Sequence, residues 1–353
     1  MTDVYQKLAR HLDNTPGGYP ETESGVELRI LKQLFTTEEA QLALSLVMMP
    51  EPLEAVAQRA DRVPEQIRDT LVEMGKKGLI IYTERDGNEF FMLAQFVVGI
   101  WEYQVNRLTK ELIRDFNEYV PHLMEELGKQ KTQQLRVVPV AKSINTELNI
   151  MDHEHLENLI RDQSKILVAP CICRKEHAMV GKACGKIEEA CLIFGSGAYL
   201  YESRGIGRTI TQEEALDIVK KGVKQGLVPQ PSNSVKAMNI CLCCDCCCQV
   251  LQNIKKTQAP ARIVNSNFQA VADEEQCTGC QACEEICPMD AIEMNADLAA
   301  EVSQERCIGC GLCVTACEFD AMRLRDKPDM ERWEPPQTLV ETYMKIAGEK
   351  GLL

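Results

Sequence analysis

Cys277-Thr278-Gly279-Cys280-Gln281-Ala282-Cys283-Glu284-Glu285-Ile286-Cys287-Pro288 is echoed by Cys307-Ile308-Gly309-Cys310-Gly311-Leu312-Cys313-Val314-Thr315-Ala316-Cys317. Both runs space their cysteines Cys-x2-Cys-x2-Cys-x3-Cys. Three cysteines in one tight loop can supply three corners of a [4Fe–4S] cubane, and the fourth thiolate comes from elsewhere. A four-thiolate zinc site is the alternative.

Working outward, the chain has 353 residues, which suits two or three domains. Its net charge of −14 argues against a nucleic-acid surface and suits partners with basic patches. The start, Met1-Thr2-Asp3-Val4-Tyr5-Gln6-Lys7, leads into no apolar signal core, and no run approaches the roughly 20 apolar residues of a membrane span. A cytoplasmic location is expected. There, thiols stay reduced and clustered cysteines read as metal ligands and not as disulfides.

The remaining ten cysteines are Cys171, Cys173, Cys184, Cys191 and the run Cys241-Leu242-Cys243-Cys244-Asp245-Cys246-Cys247-Cys248. Packing does not explain six thiols in eight residues, because a core stretch would mix in Leu, Val and Ile. Adjacent cysteines point in different directions, so one segment can serve two sites. One or two further iron–sulfur clusters are expected here. Spacing leaves the ligand allocation undecided, and zinc or a redox-active dithiol stays open. Arg174 and Lys175 beside Cys173 would offset cluster charge. His177 reads as a solvated histidine. Gly195-Ser196-Gly197 and Gly205-Ile206-Gly207 read as turns, since neither completes a phosphate-binding glycine pattern after a strand.

The organisation expected is α+β and multidomain. Residues 1–25 form a polar arm and 26–95 a compact domain. A long connecting helix occupies 96–130, a Cys-rich mixed α/β domain 131–262, the eight-cysteine repeat 263–325, and a helical tail 326–353. Within 26–95, helices at Glu38–Met48, Pro52–Ala60 and Pro64–Lys77 precede two apolar runs around Asp86-Gly87-Asn88, which signals a β-hairpin. That order resembles the winged helix-turn-helix family. Its eight basic and twelve acidic residues between Val26 and Ala94 favour protein contact over DNA. Apolar residues from Val97 to Leu127 recur at three or four residues, predicting a helix of about 45 Å that serves as a spine or as a homodimer seam. In the middle domain, strands are expected at Leu135–Val140 and Lys165–Pro170, with helices at His155–Arg161 and after Thr211.

The segment Ile263–Arg325 resembles the bacterial two-cluster ferredoxins. Asp290-Ala291-Ile292 and Asp320-Ala321-Met322 repeat along with the cysteines. The resemblance implies crossed ligation. Cys277, Cys280, Cys283 and Cys317 would hold one cubane; Cys307, Cys310, Cys313 and Cys287 would hold the second. Glu318 stands where that family usually has proline. The whole chain also looks like a group of anaerobic-bacterial proteins of 4Fe–4S ferredoxin type, which implies architecture but no reaction. The function expected is low-potential electron transfer, as a relay or as a subunit of an anaerobic oxidoreductase complex. One alternative is an oxidoreductase with its active site, and a flavin, in the middle domain; no motif supports the flavin. Another is a redox-sensing winged-helix regulator.

Overall fold

The computed structural model describes residues 3–140, 143–144, 148, 150–327 and 332–353. They divide into two compact units. One holds the chain up to Gln130 with Leu200–Ile206 and Ile346–Leu353; the other holds Lys131–Tyr199 and Gly207–Lys345.

The polar arm expected at the N-terminus is instead a helix, Val4–Asp13, opened by an Asp3 capping box. It buries Leu8, Ala9 and Leu12. Beyond it Tyr19 is wholly buried, donating its hydroxyl to Glu27 O at 2.8 Å. The polar residues around Leu8 and Leu12 masked a one-face period. Helices Val26–Leu34, Thr37–Ala43, Leu53–Ala60 and Pro64–Lys76 follow. Strands Ile80–Arg85 and Asn88–Leu93 then pair antiparallel, and Glu51–Pro52 pairs with the second of them. Asp86 and Gly87, at φ 51° and 73°, make the tight turn between the strands.

The helix at Thr37–Ala43 is shorter than the sequence suggested, and its entry is strongly held. Thr36 Oγ1 accepts from Glu39 N, Glu39 Oε2 accepts from Thr36 N at 2.8 Å, and Glu39 Oε1 accepts from Lys77 Nζ at 2.6 Å. Burial alone would raise the Glu39 pKa, but Lys77 and the Thr36 N–H outweigh it and lower the pKa. Glu39→Gln is therefore expected to cost about 1–2 kcal/mol at neutral pH. Because the folded-state pKa is depressed, this stability is present above the unfolded pKa. It disappears as pH falls through the folded pKa, where wild type and variant should converge. Denaturant midpoints at neutral and acid pH check this.

The long helix expected over residues 96–130 is broken. Phe96–Ile100 contains extended residues, Val97 at φ −133°, ψ 130° among them, and Trp101–Tyr103 makes a single turn. A new helix, Lys110–Gly128, starts where Thr109 Oγ1 accepts from Leu112 N, and it continues through Pro121. Its 19 residues span about 28 Å and not 45 Å. Its apolar stripe of Leu112, Ile113, Phe116, Tyr119, Val120 and Leu123 is buried inside its own unit. There it packs on Val26–Leu34, and Trp101 stacks on Phe116 at 3.5 Å. The periodicity was real, but the stripe is an internal core face and not a spine or seam.

The second unit joins what the sequence divided at residue 262. A five-stranded antiparallel sheet runs in the order Arg208–Ile210, Ile166–Pro170, Glu189–Phe194, Asn239–Cys243, Val228–Pro231. Helices Leu156–Arg161 and Gln212–Lys224 share one core with it, through Leu159, Val219, Ile240 and Leu242. Val228 and Cys243 belong to a different core, shared with Phe268, Ile292, Leu312 and Leu324 of the eight-cysteine segment. That segment has two antiparallel strand pairs, Phe268–Ala272 with Met322–Asp326 and Ile292–Met294 with Ala300–Val302. Short helices lie at Ala282–Glu285 and Leu312–Ala316. The strand expected at Leu135–Val140 is reduced to two isolated bridges, at Leu135 and Arg136. Val140 N instead donates to Cys310 O at 3.1 Å. The architecture is mixed α/β and multidomain, with a ferredoxin-like module toward the C-terminus. No helix among the described residues is long and apolar enough to cross a membrane.

Candidate metal centres

Two small cavities lie in the module. Cys277, Cys280, Cys283 and Cys317 line one, with Met294 and Phe319; Cys287, Cys307, Cys310 and Cys313 line the other, with Ala291 and Ile292. Each cavity thus takes three cysteines from one run and the last cysteine of the other run. The loops that carry them need glycine at the same place in each copy. Gly279 (φ +70°) and Gly309 (φ +72°) would each put a Cβ within 2.6 Å of a carbonyl oxygen, that of Leu298 or Phe268.

Backbone amides aim at the sulfurs. Ala300 N lies 3.4 Å from Cys277 Sγ, Ala270 N 3.2 Å from Cys307 Sγ and Ala291 N 3.3 Å from Cys287 Sγ. Such N–H groups stabilise thiolates and not thiols. Burial works the other way and pushes the Cys283, Cys310 and Cys313 thiols up. Sulfurs that accept backbone N–H groups, standing beside the Cys283, Cys310 and Cys313 thiols that burial raises toward the protonated form, fit a site completed by a positively charged iron core. The two cavities differ in exposure: Cys280 is exposed, whereas Cys307, Cys310 and Cys313 are buried.

The ten middle cysteines separate into four and six. Successive side chains of a strand alternate between its faces. On Asn239–Cys243, Cys241 and Cys243 pack toward the module's core, while Ile240, Leu242 and the following Cys244 pack toward the helices. On the first side, Cys191 is the direct cross-strand partner of Cys241. Thiol contacts link Cys191 to Cys241, Cys241 to Cys243, Cys243 to Cys248, Cys248 to Cys173 and Cys173 to Cys171. Asn239 Nδ2 donates to Cys241 Sγ at 3.7 Å. In this row the contact with Cys191 holds Cys241 well below the usual thiol range, and the contact with Cys173 does the same for Cys248. Cys173 and Cys243 are driven well above it by their contacts with Cys171 and Cys241. Neighbouring thiols cannot all ionise without a cation among them, so this donor set also fits a metal centre. On the second side, Cys184, Cys244, Cys246 and Cys247 bring their Sγ atoms within 4.8 Å of one another.

Arg174 lies between these groups. It is 4% exposed, and it donates to Ile187 O at 2.9 Å and to Leu242 O at 2.6 Å. Burial lowers its pKa, but Cys171, Cys244 and Cys243 outweigh burial and the net shift is upward. The sequence placed Arg174 beside Cys173; only the fold places it next to both thiol groups.

His177 is not solvated, as the sequence suggested. Its Nδ1 lies 2.8 Å from Cys173 O, and its ring is 12% exposed beside the buried Glu176. With Lys182, Asp245, Gln252, Lys255 and Lys256 it lines an open cleft of about 450 Å³ that reaches Cys246. Lys182 and Gln252 carry no motif, and sequence reading missed them. Gly195 begins a helix, Gly195–Ser203, and the positive φ of Gly205 and Gly207 makes a turn before Arg208–Ile210.

Compared with known proteins, residues 276–321 match the 4Fe-4S dicluster domain family. No curated protein and no solved structure matches the chain. The chain therefore carries an iron–sulfur, ferredoxin-type module, a metal-binding and electron-transfer domain, over its matched residues.

Proposed function

We propose that this chain is a low-potential one-electron relay, working as a cytoplasmic subunit of an oxidoreductase complex in anaerobic metabolism. The observation that carries the reading is the pair of four-cysteine cavities, one near the surface and one buried. In this reading Cys277, Cys280, Cys283 and Cys317 hold one cubane, and Cys287, Cys307, Cys310 and Cys313 hold the second. A bound cubane supplies one-electron chemistry with little rearrangement.

The chain's own residues tune and address that chemistry. Residues 271–325 carry twelve acids against three basic residues, leaving nine negative charges that disfavour an added electron and lower the potential. Exposed Leu298 and Phe319 flank the site that includes Cys280, offering apolar contact inside an acidic field. A partner with a basic rim fits that surface. The six-thiol row shares its core with the buried cavity through Cys243, Cys248 and Cys313, which supports a third iron–sulfur centre continuing the path.

The N-terminal unit acts, in this reading, as a winged-helix-like module for protein contact. The helix order and the hairpin support the likeness. The basic residues of its Pro64–Lys76 helix and the next residue are already paired: Arg68 with Glu89 at 2.7 Å, Lys76 with Glu73 at 2.6 Å and Lys77 with Glu39 at 2.6 Å. Phosphates would have to displace these carboxylates.

Anaerobic redox titration of the intact chain, with stopped-flow transfer to a basic acceptor protein, tests the relay. Reversible one-electron steps at low potential are expected, with a transfer rate that falls about tenfold or more between low and high salt. An iron-loaded chain that takes no electron reversibly, or whose transfer ignores salt, overturns the reading.

A further inference from the structure

We infer that Cys184, Cys244, Cys246 and Cys247 hold a single tetrahedral metal ion and not a cubane. The inference goes beyond the relay, which needs only the module's two sites.

All four Sγ atoms lie within 4.8 Å of one another. Thiolates bound at about 2.3 Å to one tetrahedral ion stand about 3.8 Å apart, comfortably inside that limit. A cubane places four irons and four sulfides between its terminal thiolates and holds them wider apart. Among the described residues, this is the group of three or more donors that draws so close; the cysteines of the two module cavities do not.

Local chain geometry points the same way. The module presents each cube with three cysteines spaced three positions apart, looped around glycine. Here Cys244, Cys246 and Cys247 crowd into four residues at the end of a strand, and Cys184 meets them from the loop before Glu189–Phe194. Adjacent Cys246 and Cys247 turn their sulfurs to the same point, within 4.8 Å of each other, and so reach two corners of one small tetrahedron.

The surroundings suit the charge. Four thiolates around a divalent ion leave two negative charges. Arg174 touches Cys244 from the buried side, and the cleft beside Cys246 contributes Lys182, Lys255 and Lys256. The backbone N–H of Lys186 donates to Cys184. Zinc in this site would be structural, whereas iron would add a one-electron centre; the four-thiolate coordination is common to both.

The test uses the full chain, purified anaerobically, as wild type and as Cys246→Ala and Cys247→Ala. Each variant should lose one metal ion per chain while the module's iron and sulfide stay unchanged. Zinc loss identifies a structural ion; loss of iron without sulfide identifies a redox ion. X-ray absorption at the zinc edge should then show four sulfurs at about 2.3 Å with no metal neighbour. Should both variants misfold, the wild type still decides, because the site appears as one zinc, or as one iron in excess of labile sulfide. Loss of about four irons together with their sulfide, or a wild type with no zinc and equal iron and sulfide, overturns the inference. Neither result touches the module's redox steps, so this inference and the relay can fail separately.

Discussion

Replacing Cys287 with alanine should empty the cubane site of the other cysteine run. Cys287 belongs by sequence to the first run, but it lines the cavity of Cys307, Cys310 and Cys313, and its Sγ accepts from Ala291 N at 3.3 Å. The variant should lose about four of the module's roughly eight irons, and the iron it keeps should be that of the exposed site. Cys317→Ala should do the reverse, sparing the buried site. Iron and sulfide analysis with EPR of the reduced chain separates the two, since each variant leaves one cube in a different environment. If Cys287→Ala instead removes the cube of Cys277, Cys280 and Cys283, ligation is not crossed. The structural consequence should also be large, because neither half of the repeat completes a site alone. Three buried thiols would remain around an empty cavity, and burial favours the protonated form of Cys310 and Cys313.

Arg174→Met is expected to destabilise the second unit by about 3–5 kcal/mol, the usual cost of removing one partner from a buried charged network. Methionine fills the space left by the guanidinium stem but donates to neither Ile187 O nor Leu242 O, and it leaves the flanking thiolates without their buried counter-charge. Arg174→Lys keeps the charge but cannot reach both carbonyls, so an intermediate loss is expected. Anaerobic denaturation measures stability, and potentiometry measures the second effect. Without the cation, any redox centre in the six-thiol row should shift to lower potential in Arg174→Met and recover in Arg174→Lys. Equal stability and equal potentials in all three chains would show that Arg174 only fills space.

Several features were readable from residue order because they depend on local spacing. The spacing inside each of the module's cysteine runs, the Asp86-Gly87 hairpin, the Thr211 cap of Gln212–Lys224 and the Pro64 start of its helix each involve residues within about ten positions of one another. The errors share a different cause. Val97 to Leu127 carries an apolar period, yet extended residues and the Thr109 cap divide it, and the period reports only that one face is buried. Leu8 and Leu12 fall in the segment read as a polar arm, yet both are buried in a core that residue order does not reveal.

By itself, the amino-acid order determined that this chain carries two cysteine runs with the spacing of an iron–sulfur module, because a tight loop sets three thiols within reach of one point whatever lies around it. Tertiary structure alone decided how the other ten sulfurs divide. Alternation along Asn239–Cys243 sends Cys241 and Cys243 to one side and Cys244 to the other, and strand pairing, loop path and the buried Arg174 bring distant cysteines to each group. Those encounters join residues 50 to 75 positions apart, from Cys191 with Cys241 to Cys173 with Cys248, and no local spacing encodes which strand will be a neighbour.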